Sequence, residues 1–326
     1  MRAWMCRAWG EPEDLDLSDV PDPEPGPGQA VVRVEACGVN FPDGLIVAGK
    51  YQFRPEFPFT PGGEVCGTVT AVGAGVTNVE VGQRVIAVTA FGGMAEKILV
   101  PRAQSVIPIP EEIPAETAAA FMLTYATSHH ALKDRAEASA GESLLVLGAA
   151  GGVGLAAVEL GAAMGLEVTA AASTTAKLEL ARTKGASHTI NYADEDLRER
   201  AKEITGGVGF DIVYDPVGGD LSEVALRSTT WKGRFLVVGF AAGEIPSIPL
   251  NLTLLKGCDI RGVFWGRFVE VEPERAMGNF VELMQMLADG TIAPHVSEVF
   301  DFDHAPDAIR HVIDRKALGK VVVSLP

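Results

Sequence analysis

The stretch Leu144-Leu145-Val146-Leu147-Gly148-Ala149-Ala150-Gly151-Gly152-Val153-Gly154-Leu155 constrains this chain more than any other. Four consecutive apolar residues read as a short strand buried on both faces. Glycines at 148, 151, 152 and 154 then form a turn, and Leu155 to Met164 is small and apolar almost all round, as suits a helix packed on a sheet. Strand, glycine turn and helix in that order let the backbone approach a pyrophosphate and offer it free N–H groups at the positive end of the helix. The spacing is Gly148-x-x-Gly151-x-x-Gly154, not a strict G-x-G-x-x-G. An ordinary tight turn also uses glycine, but the flanking pattern favours a dinucleotide site with Ala150, Gly151, Gly152, Val153 and Gly154 as contacts.

From Ser143 onward strands and helices alternate. Strands are expected at Leu144–Leu147, Glu167–Ala171, His188–Ile190, Asp211–Tyr214, Arg234–Val238 and Asp259–Val263, with helical stretches between them. Six strands joined by helical crossovers predict an α/β fold with a doubly wound parallel sheet. Upstream, short alternating strands separated by glycine and proline predict a β-rich domain. The tail, a long helix, a short strand, a helix and a final strand at Lys320–Ser324, lacks a partner in the parallel sheet and is expected to rejoin the β-rich domain. The expected division is 1–122 with 264–326, and 123–263.

Among 326 residues, 27 basic against 43 acidic give a net charge of −16, which argues against nucleic-acid or anionic-membrane partners. No apolar run reaches the roughly 18 residues of a membrane span, and the start of the chain lacks a basic region followed by an apolar one. Cys6, Cys37, Cys66 and Cys258 form no C-x-x-C pair, so reduced thiols in a cytoplasmic protein are expected.

A site that prefers NAD places a carboxylate at the end of the second strand. Here that place reads Ala170-Ala171-Ala172-Ser173-Thr174-Thr175-Ala176-Lys177. Ser173 and Thr174 can donate to a 2′-phosphate and Lys177 can supply charge, so the expected cofactor is NADPH. The same residues also suit a plainer role, a helix N-cap followed by a solvated lysine.

Six patches taken together resemble one group: Gly38-Val39-Asn40-Phe41-Pro42-Asp43, Pro61-Gly62-Gly63-Glu64, Leu123-Thr124-Tyr125-Ala126-Thr127, Gly148–Gly154, Tyr214-Asp215-Pro216-Val217-Gly218-Gly219 and Gly319-Lys320-Val321-Val322. In that order they resemble the zinc-independent quinone oxidoreductase branch of the medium-chain dehydrogenase/reductase superfamily. The resemblance implies a GroES-like β-rich catalytic domain interrupted by a Rossmann domain, and a homodimer. It further implies Asn40 and Tyr51 as catalytic residues beside the nicotinamide, bonding the substrate oxygen. Thr124 would meet the carboxamide, Tyr192 and Arg315 the adenosine-phosphate end, and Gly239-Phe240 and Phe264-Trp265 would flank the nicotinamide. Each has a plainer role as well: a turn cap for Asn40, loop packing for Tyr51, core for Trp265 and a solvated charge for Arg315.

Zinc-dependent alcohol dehydrogenases of this superfamily carry cysteine and histidine where this chain has Asn40 and Gly63, so no metal is expected. The pair His129-His130 lacks a third ligand and is read as structural. Without a Lewis acid, hydride transfer to a small quinone or enone is favoured over alcohol oxidation, because a conjugated acceptor delocalises the incoming charge. The alternatives are reduction of a 2-alkenal or of an acryloyl-CoA-type thioester, and a non-catalytic NADPH-binding role like that of the lens crystallins in this family.

Overall fold

The computed structural model describes residues 1–326, which divide into two units: Met1–Leu123 with Pro294–Pro326, and Thr124–Ala293. The return to the first unit therefore falls at Pro294 and not at 264. The reason is that the helices Trp265–Val271 and Pro273–Ala288 are fastened to the second unit. His130 stacks on Phe268 with ring centroids 3.9 Å apart, and Arg275 pairs with Asp134 at 2.7 Å. Asn279 donates to the same carboxylate at 2.7 Å, and Phe280 and Leu283 are buried. His130 also bonds Asp134 at 2.8 Å, and His129 lies 3.3 Å from Glu282. Burial holds both imidazoles below their usual pKa, and both serve this packing.

The first unit is built on a seven-stranded sheet. Strand Ala30–Val39 lies between Glu64–Val72 and Lys320–Ser324, antiparallel to both. Its inward residues, including Val32, Val34 and Cys37, join Val65, Val85 and Val323 in one apolar core. Register decides what gathers at one end of these strands: Gly38 faces Glu64 on one side and Val39 faces Val321 on the other. Asn40, Glu64 and Lys320 are thereby brought side by side.

The second unit is a six-stranded sheet in the order His188–Asn191, Glu167–Ala172, Ser143–Leu147, Phe210–Asp215, Thr229–Val237, Asp259–Gly262. All neighbours are parallel, as expected for strands buried on both faces. The winding reverses between Ser143–Leu147 and Phe210–Asp215. Open α/β sheets take ligands at the carboxyl ends of the strands at such a switch. The helix Gly152–Ala163 follows the first of these strands, and its Glu159 is a buried junction. That carboxylate accepts the Tyr125 hydroxyl, Lys184 Nζ at 2.9 Å and the Ala293 N–H at 3.1 Å.

Candidate active site

In the second unit, the glycine turn sits at the switch point. Gly148 has a φ of 57°, the left-handed region that glycine tolerates. A Cβ on Gly154 would fall inside the Gly148 carbonyl oxygen, so the close approach of turn and helix requires glycine there. The helix begins at Gly152, and the N–H groups of its first turn have no partner within the helix. Across the switch, Asp215 shapes the facing loop. Its Oδ1 accepts the N–H groups of Val217 and Gly218 at 2.8 and 2.9 Å, and its Oδ2 accepts the Ser222 hydroxyl.

The other nucleotide candidates of this unit stand at carboxyl ends of the same sheet. Ser173 and Thr174 follow strand Glu167–Ala172, and the Tyr192 N–H bonds Ala172 O at 3.1 Å, which sets Tyr192 beside them. Thr174 does cap the next helix, accepting the Lys177 N–H at 3.4 Å, and Lys177 is half-buried on its first turn. Gly239 and Phe240 follow strand Thr229–Val237, and Phe264 and Trp265 follow Asp259–Gly262. Trp265 opens the helix Trp265–Val271, and Phe264 is 63% exposed. Thr124 is buried in helix Met122–His129.

In the first unit, Asn40 ends the central strand and precedes helix Phe41–Val47. Its Oδ1 accepts Lys320 Nζ at 2.6 Å, and its Nδ2 donates to Glu64 Oε2 at 3.1 Å and to Gly38 O at 3.3 Å. Lys320 donates further to Glu64 Oε2 at 3.0 Å and Val39 O at 3.3 Å. Glu64 Oε1 accepts the Leu123 N–H at 2.8 Å. The Asn40 amide is thus held on three sides and turned so that its oxygen meets the ammonium. Asp43 accepts the Asn40 N–H at 2.7 Å, and burial pushes its carboxyl up from 3.8 to about 6. Tyr51 packs on the core beside this cluster. Burial, and then the charge of Asp43, raise its phenol, so it keeps its proton. Arg315 lies in the turn after helix Ala305–Ile313, with a φ of 59°.

Zinc does not fit these residues. Asn40 presents a carboxamide already bonded to a cation, and a Cβ on Gly63 would stand 2.8 Å from Thr89 O, leaving no room for an imidazole. Burial pushes the Cys37 thiol well up, so it holds its proton, and the Lys320 ammonium in the centre would repel a dication. No group of three or more His, Cys, Asp and Glu side chains is placed to hold a metal ion. Sequence reasoning overlooked Asp43 and Lys320 as members of this site. The signal for the second was a lysine opening the apolar run Lys320-Val321-Val322-Val323.

Residues 26–111 match the alcohol dehydrogenase GroES-like domain family, and residues 152–285 the zinc-binding dehydrogenase family. The chain is 38% identical to quinone oxidoreductase-like protein 2 of Bos taurus, over 99% of this chain and 97% of that one. The quinone oxidoreductase of Thermus thermophilus, studied also in complex with NADPH, is 37% identical over the full length of both chains with a TM-score of 0.87. The Escherichia coli quinone oxidoreductase complexed with NADPH is 28% identical over 99% of this chain and 100% of that one, with a TM-score of 0.92. This oxidoreductase chain belongs to the quinone oxidoreductase branch of the medium-chain dehydrogenase/reductase superfamily.

Proposed function

We propose that the protein is an NADPH-dependent, zinc-independent reductase of quinones or other conjugated carbonyls. One observation carries the reading: the place that would hold a catalytic metal is filled by a buried ammonium, Lys320, bonded to Asn40 and Glu64. Relatives named quinone oxidoreductases and solved with NADPH support it.

NADPH, when bound, supplies the hydride. The Gly151–Gly154 turn would hold its pyrophosphate, and Ser173, Thr174, Lys177 and Tyr192 would take the 2′-phosphate end. Thr124, Gly239, Phe240, Phe264 and Trp265 line the nicotinamide. Tyr51, whose hydroxyl bonds to no other group of the protein, donates to the acceptor oxygen as charge builds there. Asn40, whose polar atoms are all engaged, acts chiefly as a strut that shapes the acceptor site and carries the Lys320 charge to its edge. The active species is a homodimer, supported by the open strand Asp259–Gly262 at one edge of the parallel sheet. Four buried, unpaired cysteines support a reducing compartment such as the cytoplasm, and no helix is long and apolar enough to cross a membrane.

Steady-state assays with NADPH and NADH against 1,4-benzoquinone, a 2-alkenal and acryloyl-CoA, with metal analysis, test this reading. The expected result is NADPH-linked reduction of the quinone without bound zinc, with Tyr51→Phe lowering kcat roughly 10- to 100-fold. Stoichiometric zinc with NAD-linked alcohol oxidation would overturn it. Tight NADPH binding without turnover would assign the crystallin-like role instead.

A further inference from the structure

The carbonyl of Val153 and the N–H of Gly154 are opposite ends of one planar peptide group. That N–H belongs to the first turn of helix Gly152–Ala163, so it finds no acceptor within the helix and is offered to an anion at the N-terminus. Its orientation is therefore set from the carbonyl side. Ser128 Oγ donates to Val153 O at 2.9 Å. A serine hydroxyl has one proton, and here it is spent on Val153. The 2.8 Å contact between Ser128 Oγ and the Tyr214 hydroxyl is therefore a bond donated by Tyr214.

Ser128 and Tyr214 are both completely buried, so water does not compete for these bonds. Burial also pushes the Tyr214 phenol up, which keeps it protonated as a donor. Tyr214 O–H, Ser128 O–H and the Val153–Gly154 peptide all point their donors in one direction, and bonds in such a chain polarise one another. The far end of the chain is the N–H that faces the phosphate position. Tyr125, three residues before Ser128 on the same helix, donates to Glu159 of the glycine-turn helix. The two helices are thus fastened at a second level, and rigid-body drift does not relax the first.

We propose that Ser128, oriented by Tyr214, is a positioning residue for the nucleotide: it pins the Val153–Gly154 peptide plane so that the Gly154 N–H is presented to the dinucleotide pyrophosphate. This rests on the nucleotide reading given above.

The test uses NADPH titration calorimetry and thermal unfolding on wild type, Ser128→Ala, Tyr214→Phe and the double variant. Ser128→Ala strands the Tyr214 hydroxyl in the core without an acceptor, so Tm falls. Adding Tyr214→Phe removes the stranded group, so Tm recovers. The NADPH Kd is expected to rise about threefold to tenfold in Ser128→Ala and to stay raised in the double variant, because both lack the second bond that fixes the tilt of the peptide plane, leaving only the bond within the helix. A merely structural role gives the other pattern, a Kd that returns with Tm; that pattern, or a Kd unchanged throughout, would overturn the inference. A wild-type protein that binds no NADPH would sink the nucleotide reading itself, and an unchanged Kd on a tightly binding wild type would sink only the role of Ser128.

Discussion

An ammonium only 4% exposed persists in a protein interior when each of its protons meets an acceptor and a counter-charge lies in contact. Lys320 satisfies both conditions through Val39, Asn40 and Glu64. Asp43 beside it is less well served. Its carboxyl is raised to about 6, chiefly by burial, with Glu64 adding repulsion and Lys320 opposing it. The native state therefore binds this proton more tightly than the unfolded chain does. The contribution of Asp43 to stability is complete below about pH 4 and is lost as pH rises through about 6. Asp43→Asn removes the titration. Relative to wild type, the unfolding free energy of the variant is expected to climb between about pH 4 and 7 and to level off beyond, by urea denaturation at a series of pH values. A difference that is flat across that range would show that Asp43 ionises normally. Asn40 was legible in the sequence as a residue of interest, but its partner Lys320 was not, because the two are 280 positions apart and only sheet register joins them.

At the scale of elements, the parallel strands were readable because burial on both faces leaves near-continuous apolar runs. No alternation of apolar and polar residues was needed there, since Leu144 to Leu147 are all 0% exposed. Short helices were harder. Phe41–Val47 contains Pro42 and Gly44, and Asn251–Lys256 and Trp265–Val271 are too short for a helical period to show. The helix Pro273–Ala288 was readable but its partner was not, since its attachment runs through polar side chains as well as through the buried Phe280 and Leu283. Asp134 gathers His130, Arg275 and Asn279 on one buried carboxylate, where the chain from His130 to Arg135 widens into a π-helical turn. Asp134→Ala strands the buried His130 and Asn279, while the exposed Arg275 turns to water and Glu272, and is expected to lower the unfolding free energy by about 2–4 kcal/mol. Hydrogen exchange should show the loss of protection concentrated in 265–288 and 129–135. A loss below about 0.5 kcal/mol would mean that apolar packing of Phe268, Phe280 and Leu283 holds the helix unaided.

At the scale of the whole molecule, the second unit leaves one demand unmet. Strand Asp259–Gly262 pairs with another strand on one side only, Thr229–Val237; on its far side the Gly262 carbonyl accepts Arg135 Nε at 3.0 Å, and the edge has no further strand partner. Around it the chain exposes large apolar side chains, with Ile260 at 39%, Leu254 at 78% and Leu255 at 69%. An open edge with apolar flanks invites aggregation unless something covers it. In the proposed homodimer a second copy related by a two-fold axis would meet this edge with its own, because a strand laid against itself by such an axis is antiparallel and can pair. Sedimentation at micromolar concentration is expected to give twice 34.3 kDa for the wild type. Ile260→Lys with Leu255→Glu, placing charge on the edge and its flank, should shift the species to a monomer while the far-ultraviolet spectrum is retained. A wild type that sediments as a monomer, or a variant that stays dimeric, would place the contact elsewhere and leave the edge to be protected by its shortness and twist.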